Sequence, residues 1–533
     1  MDSLLKTLPD DPAILRGIIV SFQAEKQAWE SEKRIWESKA EQLEWHAQFL
    51  QEQINILIAK RFGRSSEKGD PNQLGLFDEA EQSEPEDGSE DPAGQTSTVA
   101  AHERKKKGRK PLPDWLPRIE VIHDLPESER ICGVDGFRMK EIGREISEQL
   151  DFIPAKIQVL KHVRIKYGCS HCRTGVKTAP APVRPFPKAM ATASMMAYVA
   201  VSKYADGLPL YRQSGILARS GFGISRSTMA GWMIQEGCMV QPVVNLMRDR
   251  ILEHGVIQMD ETPVQVLKEP EKTATSKSYM WVQRGGPPEA PVILFDYDPS
   301  RSGTVPEQLL VDYKGYLQTD GYGGYLAVGS SADIIHLGCW AHARRKFDEV
   351  VKALGKAAKG KTGKAGEALA MIRKLYRIEK KLREAEADAK TRFGVRQARA
   401  GPILAELRQW LDGNLITAPP KSTLGRAIGY ASDQWPRLIR YLDDGRLEID
   451  NNGVENAIRP FVVGRKGWLF SSSVRGVKSS ANLYSVIETA KANGLEPFAY
   501  LKLLFAKLPS AQTVEDFDKL LPWNVDRAEL STA

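Results

Sequence analysis

Cysteine is scarce: five thiols in 533 residues exclude a disulfide-stapled scaffold and point to a reducing cytoplasm. Long apolar runs are missing. No stretch of 18 or more consecutive apolar residues occurs, so no membrane span is expected. The first residues, Met1-Asp2-Ser3-Leu4-Leu5-Lys6, lack the basic-then-apolar order of a signal peptide. No charge sign dominates either. A net charge of +7 with pI near 8.9 is only mildly basic, and its uneven distribution says more than its sum. The length exceeds what one hydrophobic core can organise, so several domains are expected.

Three acidic positions stand out. Asp260 closes Val256-Ile257-Gln258-Met259-Asp260, which reads as a strand, and Asp320 closes a second, Gly315 to Asp320. Glu455 lies where Asn451-Asn452-Gly453-Val454-Glu455-Asn456-Ala457-Ile458-Arg459-Pro460 reads as the start of a helix. Two aspartates on strand ends and a helical glutamate can converge. Three converging carboxylates cannot all stay ionised without a cation, and hard oxygen ligands suit Mg²⁺ (or Mn²⁺), two ions being expected. Singly, each has a plainer role: a strand end, a turn residue before Gly321, or an i,i+4 partner of Arg459. Glu448, Asp450 and Asp444 compete for the third place but lie in a less regular stretch.

Along the chain, residues 12–62 predict one helix. Trp36, Ala40, Leu43, Ala47, Leu50, Ile54 and Leu57 keep a 4-3 alternation, which Phe22 and Trp29 extend and Lys26 and Lys33 interrupt. The pattern favours an oligomerising coiled coil over a helix packed on its own protein. Residues 63–103 read as a disordered acidic linker. Within it, Gln73-Leu74-Gly75-Leu76-Phe77 resembles short peptides that dock on the bacterial sliding clamp; chance match or local packing is the alternative. Charge then flips in Arg104, Lys105, Lys106, Lys107, Arg109 and Lys110, an arm suited to sequence-independent phosphate contacts.

Cys169-Ser170-His171-Cys172 is a Cys-x-x-Cys knuckle, but its partner Cys132 is followed at position 135 by Asp rather than a second cysteine. Asp135 or His171 could complete a zinc site; a metal-free relic held by strands such as Ile157–Val163 is the other reading. Three helices, Met195 to Tyr204, Leu210 to Arg219 and Ser225 to Gln235, have Gly221-Phe222-Gly223 between the last two and Ser225 as a cap. That order suits a helix-turn-helix presenting Arg226, Ser227 and Thr228 to DNA, and suits any three-helix bundle too. Strands are expected over Val256–Asp260, Pro263–Leu267, Ser278–Arg284, Pro291–Tyr297, Gly315–Asp320 and Ile334–Trp340, with a helix over Thr304–Leu310. Three strands, a helix and two strands match the ribonuclease-H-like order. The 135-residue gap from Asp320 to Glu455 implies an inserted helical domain. Cys339 and His342 form Cys-x-x-His, read as core and DNA-facing or capping residues rather than a metal site. Arg344, Arg345 and Lys346, and Arg465 and Lys466, are expected to face DNA phosphates.

Taken together, Ala59 to Glu67, Met259-Asp260-Glu261-Thr262, Thr319-Asp320-Gly321-Tyr322, Cys339 to Phe347, Asp450 to Pro460 and Gly464-Arg465-Lys466-x-Trp468-Leu469-Phe470 resemble the transposases of the IS66 insertion-sequence family, DDE enzymes of bacterial mobile elements. The resemblance implies an N-terminal leucine zipper, a zinc-binding segment, a catalytic core and a small C-terminal domain. It puts the catalytic triad on Asp260, Asp320 and Glu455, implies companion proteins from the same element, and fits a bacterial cytoplasmic, nucleoid-associated protein. The departure is Asp135, where the family usually has cysteine.

The expected organisation is a multidomain α/β chain: a coiled coil (1–62), linker and basic arm (63–118), a zinc-ribbon-like segment (119–182), a helical DNA-binding region that includes Arg226 (183–254), a ribonuclease-H-like core in two parts (255–345 and 446–495) around a helical insertion (346–445), and a small helical C-terminal segment (496–533). Arg459 joins the expected DNA contacts. The expected function is Mg²⁺-dependent cleavage of element ends and transfer of the 3′-hydroxyls to target DNA. The alternatives are a nuclease that cuts without joining, or an inactive transposase acting as a DNA-binding regulator.

Overall fold

The computed structural model describes residues 157–168, 176–187, 189–353 and 363–532, parts of 11–39, and the single positions Ile54 and Glu120. Residues 1–78 with 162–533 form one compact unit and residues 79–161 another. The described residues of the second unit carry no helix or strand. The basic arm, the Gln73–Phe77 peptide and the expected zinc ligands Cys132, Asp135, Cys169 and Cys172 lie outside the described residues. Described positions from Pro12 to Lys39 are helical, and Phe22, Trp29 and Trp36 on the predicted seam are exposed.

Strands β1 (Lys166–Gly168) and β2 (Val176–Thr178) pair antiparallel, with the Cys169–Cys172 knuckle between them in sequence. Residues 157–165 form no strand, a correction to the one expected over Ile157–Val163. Val159 and Val163 are exposed there, so among the described residues no apolar face is buried to reward pairing.

Four helices follow: α1 (Ala193–Tyr204), α2 (Leu210–Arg219), α3 (Arg226–Met239) and α4 (Gln241–Glu253). Thr192 caps α1, and Ser225 Oγ accepts from Thr228 N at 3.1 Å to cap α3. Gly221, at φ +95°, takes the left-handed turn between α2 and α3.

The central sheet comprises β3 (Val256–Lys268), β4 (Lys277–Gly285), β5 (Val292–Asp298), β6 (Gly315–Gln318) and β7 (Ile334–Leu337) in spatial order β5-β4-β3-β6-β7, with α5 (Thr304–Leu309) between β5 and β6. The first three strands are an antiparallel meander; β6 and β7 run parallel to β3. Two expectations fail in detail. Val256–Asp260 and Pro263–Leu267 are one strand. The strand expected over Ile334–Trp340 stops at Leu337, because Gly338 N turns away to Arg437 O and Trp340 N to Ile449 O.

A helical insertion follows: α6 (Trp340–Ala353), α7 (Gly363–Glu384), α8 (Ala389–Val395), α9 (Gly401–Thr417) and α10 (Thr423–Leu438). Its buried residues, including Phe347, Leu375, Leu407, Leu411 and Ile428, form one core with Leu337 of β7 and with Leu447 and Ile449. Arg396, fully buried at the start of a π-helical turn, donates to both Glu379 oxygens at 2.9 and 2.7 Å and to the carbonyls of Tyr441, Asp444 and Leu447. This ties the insertion to the segment that returns to the sheet.

That segment enters α11 (Asn452–Trp468), then β8 (Ser471–Ser473), which pairs parallel with β3 at Val266 and Lys268. Helix α12 (Val474–Ala492) covers the free edge of β5. Phe295 N donates to Ser485 Oγ at 2.8 Å and Ile293 N to Thr489 Oγ1 at 3.0 Å, while Asn493 Nδ2 donates to Pro291 O at 2.9 Å. One helical stripe thus satisfies an edge that would otherwise invite another strand. Helix α13 (Pro497–Lys507) opens the C-terminal segment. No helix among the described residues is long and apolar enough to cross a membrane.

Candidate active site

The site is built on a gap in the sheet. β6 accompanies β3 only as far as Gln318 opposite Gln258, and β8 joins only at Val266. Between these points one side of β3 has no ladder partner, so Pro263 loses no hydrogen bond there. Helix α11 occupies the opening: Asn451 Nδ2 donates to Met259 O at 3.0 Å, and Arg465 Nη1 to Thr262 Oγ1 at 3.2 Å. Asp260 therefore sits in mid-strand, not at a strand end, with α11 alongside. Asp320 lies two residues past the end of β6.

The approach to α11 is stitched across the strands. Gln258 Nε2 donates to Gln318 Oε1 at 2.8 Å and to Asp450 O at 3.2 Å; Gln318 Nε2 donates to Glu448 O at 2.9 Å. Arg284 Nη1 reaches Gln258 Oε1 at 2.8 Å and Glu448 Oε1 at 3.0 Å. Asn451 N donates to the buried Cys339 Sγ at 3.2 Å. A Cβ on Gly453 would meet Arg284 Nη1 and Gln258 Oε1, so a larger residue there would displace the side chains that stitch this approach. These contacts place Glu455 in the first turn of α11.

Electrostatics brings the three acidic residues into one neighbourhood. Burial pushes the Asp260 carboxyl well above its ordinary range, and the charges of Glu261, Asp320 and Glu455 push it further; the Glu261 N–H, donating to Asp260 Oδ1 at 2.8 Å, opposes this. Asp320 Oδ1 accepts from Tyr322 N at 2.8 Å. Glu455 is buried, with its Oε1 at 3.7 Å from His342 Nδ1. Donor atoms of Cys339, His342 and Glu455 all lie within 4.8 Å of one another, so Cys-x-x-His, read as core or capping residues, borders the acidic centre. The competitors are engaged elsewhere: Glu448 with Arg284 at 3.0 Å, Asp444 with Arg446 at 2.8 Å, and Asp450 as acceptor for Asn452 N at 3.2 Å.

Glu261 is the residue that sequence reasoning missed. Its Oε1 accepts from Arg301 Nε at 2.8 Å and Nη2 at 2.5 Å, and its Oε2 from Tyr325 Oη. Burial, then the Asp320 charge, raises its carboxyl to about 7 although Tyr325 and Arg301 pull it down. Arg301 stacks on Tyr322, 3.7 Å from the ring centroid, and Tyr322 Oη donates to Arg301 O at 2.8 Å. The loop after Asp320 is thereby fastened to β3. The available signal was a second acid directly beside Asp260, in Asp260-Glu261.

The expected DNA contacts divide. Arg226 is exposed at the start of α3, and Lys466 is exposed in the last turn of α11, beside the half-buried Arg465. Arg459 is half-buried one turn after Glu455. Arg344 approaches Asp348 at 3.5 Å and Tyr376, Arg345 Nη1 lies 3.4 Å from His342 Nε2, and Lys346 lies over Tyr430 at 5.8 Å. The Arg344–Lys346 cluster is thus partly committed within the protein. As a donor set, three mutually repelling, partly buried carboxylates fit hard divalent cations.

Comparison with known proteins gives four ordered matches: the "Transposase IS66 family" over residues 188–479, "Transposase C of IS166 homeodomain" over 49–121, "zinc-finger binding domain of transposase IS66" over 129–173, and "IS66 C-terminal element" over 485–523. Among relatives, y4qI of Sinorhizobium fredii is 31% identical across 97% of both chains, and y4jD of the same strain is 33% identical across 81% of this chain and 85% of its own. Both are named only as uncharacterized proteins.

Proposed function

This chain belongs to the IS66 transposase family, and from that premise we propose that it cuts the ends of an insertion sequence and joins the freed 3′-hydroxyls to target DNA. The observation that carries the reading is the convergence of Asp260, Asp320 and Glu455 at the gap beside β3. The strand order β5-β4-β3-β6-β7 supports a ribonuclease-H-like core.

Asp260, Asp320 and Glu455 would hold two Mg²⁺ or Mn²⁺ ions, whose chemistry is activation of the attacking oxygen and stabilisation of the leaving one. Asp260 contributes a carboxylate fixed by a long strand, and Glu455 one fixed by the stitched start of α11. Arg459, Arg465 and Lys466 hold backbone phosphates near them. In the first step water attacks the phosphorus and the bond to the 3′-oxygen breaks. In the second that 3′-hydroxyl loses its proton and attacks the phosphorus of a target phosphodiester, and the bond to the target strand's own 3′-oxygen breaks, leaving a new 3′-hydroxyl on the target. Residues 12–62 would oligomerise the chain, the 129–173 segment would take a structural zinc through its cysteines, and companion proteins of the element and the sliding clamp are proposed partners.

The test uses oligonucleotides of the element's ends with Mg²⁺, scored for cleavage and strand transfer. Asp260→Asn, Asp320→Asn and Glu455→Gln should each remove both activities while circular dichroism stays native. Full activity in any one removes that residue from the catalytic set. Cleavage without joining by the unaltered protein would make it a nuclease.

A further inference from the structure

Helix α11 does not end on glycine. Leu469 takes φ +66° and ψ −51°, and Phe470 N donates back to Trp468 O at 2.8 Å. This is the three-residue γ-turn of the strained hand, rare for any residue with a side chain. The side chain kept there is not used inside the protein: Leu469 is 65% exposed and Phe470 41%. An apolar pair is held outward by a conformation that glycine would adopt at lower cost.

Its surroundings indicate what it meets. Arg465 and Lys466 precede it in the last turn of α11, and the exposed Arg475 and Lys478 follow in the first turns of α12. The exposed Lys268 lies opposite Ser473 in the ladder of β8 with β3. Glu269, the nearest acid beyond it, is taken up by Tyr297 Oη. On another side, a Cβ on Gly467 would lie 3.3 Å from Gly207 O, so the turn into α2 adjoins, with Tyr211 and Arg212 exposed just beyond it. Since Ser471 pairs opposite Val266, six residues past Asp260, the tip stands within about 20 Å of the acidic centre, about six base steps of duplex.

We infer that Leu469 and Phe470 form a wedge that enters a base step of the DNA held at the acidic site and unstacks it. Cations on both sides grip the backbone while the apolar pair takes the place of a stacked base. The inference rests on the DNA-processing reading above.

The experiment uses the full chain without added divalent metal and forked duplexes carrying 2-aminopurine at successive positions from the second to the eighth base pair from the fork. Binding is followed by anisotropy and unstacking by 2-aminopurine fluorescence. The unaltered protein should raise fluorescence severalfold at one or two adjacent positions. Leu469→Gly with Phe470→Ala should bind within about threefold yet lose most of that rise, and Leu469→Gly alone should melt no lower than the unaltered chain. Binding with no fluorescence rise, a rise kept by the double variant, or a marked loss of melting temperature in Leu469→Gly would each overturn the wedge. Failure of the unaltered protein to bind any of these duplexes would instead count against the DNA-processing reading.

Discussion

Two buried charge centres in this chain are built on opposite terms. In the helical insertion, Arg396 is enclosed by both oxygens of Glu379 and three backbone carbonyls, so the charge is answered within the fold. At the gap beside β3, the charges of Asp320 and Glu455 add to the cost of ionising Asp260, and the nearby Arg301 pairs with Glu261 at 2.5 Å. The first centre pairs one cation with one carboxylate; the second gathers several carboxylates around one buried aspartate, an arrangement that a divalent cation would answer. The difference separates a charge that organises structure from one kept for chemistry.

The contrast breaks most visibly through activity. Asp260→Asn should lower strand cleavage about a thousandfold or more while raising metal-free stability by about 1 kcal/mol, since it removes a repelled charge. Urea denaturation beside the cleavage assay reads both; a destabilised Asp260→Asn would erase the distinction. Arg396→Ala should do the reverse at the other centre, costing about 3–5 kcal/mol by leaving Glu379 buried and unpaired. A loss under about 1 kcal/mol in the same denaturation would make that centre ordinary.

Glu261→Gln sharpens the boundary between the two kinds of charge. It keeps the acceptor for Arg301 in size but weakens the tie to the Asp320 loop, and should cost about 10- to 100-fold in cleavage, with higher Mg²⁺ restoring part of it. An unchanged rate would reduce Glu261 to packing.

The pH dependence is subtler. Asp260 and Glu261 both have folded-state values above the unfolded range near 4, Glu261 at about 7. Their contribution is present in full below about pH 4; the Glu261 part is lost as pH rises through about 7, and the Asp260 part as pH rises through its own raised folded value. In a chelator, the melting temperature should therefore fall between pH 5 and 8, and Mg²⁺ should restore more at pH 8 than at pH 5. Equal restoration at both would contradict it. The smallest effect is expected of single DNA-facing cations: Lys466→Ala should lower the salt slope of DNA binding by about one, whereas Arg344→Ala, already engaged with Asp348, should change it less.

Much of this was legible because strands and helices repeat simply. The positions of most strands and the helical insertion follow from apolar runs and their lengths, and Ser225 was read as a cap from its position alone; which strands pair, and in which direction, does not follow from them. Pro263 misled, since proline reads as a strand breaker; only the three-dimensional gap between β6 and β8 makes it harmless. Glu455 was legible through its surrounding motif, but its fixation by Gln258, Gln318, Asn451 and Cys339 was not. Their hydrogen bonds join neutral groups 60 to 192 residues apart in the chain, and pattern reading has no hold on such long-range pairs. Glu261 was overlooked because a second acid beside the first looks like a solvated charge until Arg301 and Tyr325 are seen to enclose it.

The seal on β5 has a bearing on how such genes decay. Ser485, Thr489 and Asn493 come nearly two hundred residues after the strand they cover, so a copy that lost its final fifty or so codons would still encode every carboxylate of the acidic centre. It would also present an open, apolar-backed strand edge to its neighbours. Such a remnant is expected to clump or be degraded rather than persist as a free DNA binder, and a cell would be rid of a truncated copy before its chemistry mattered.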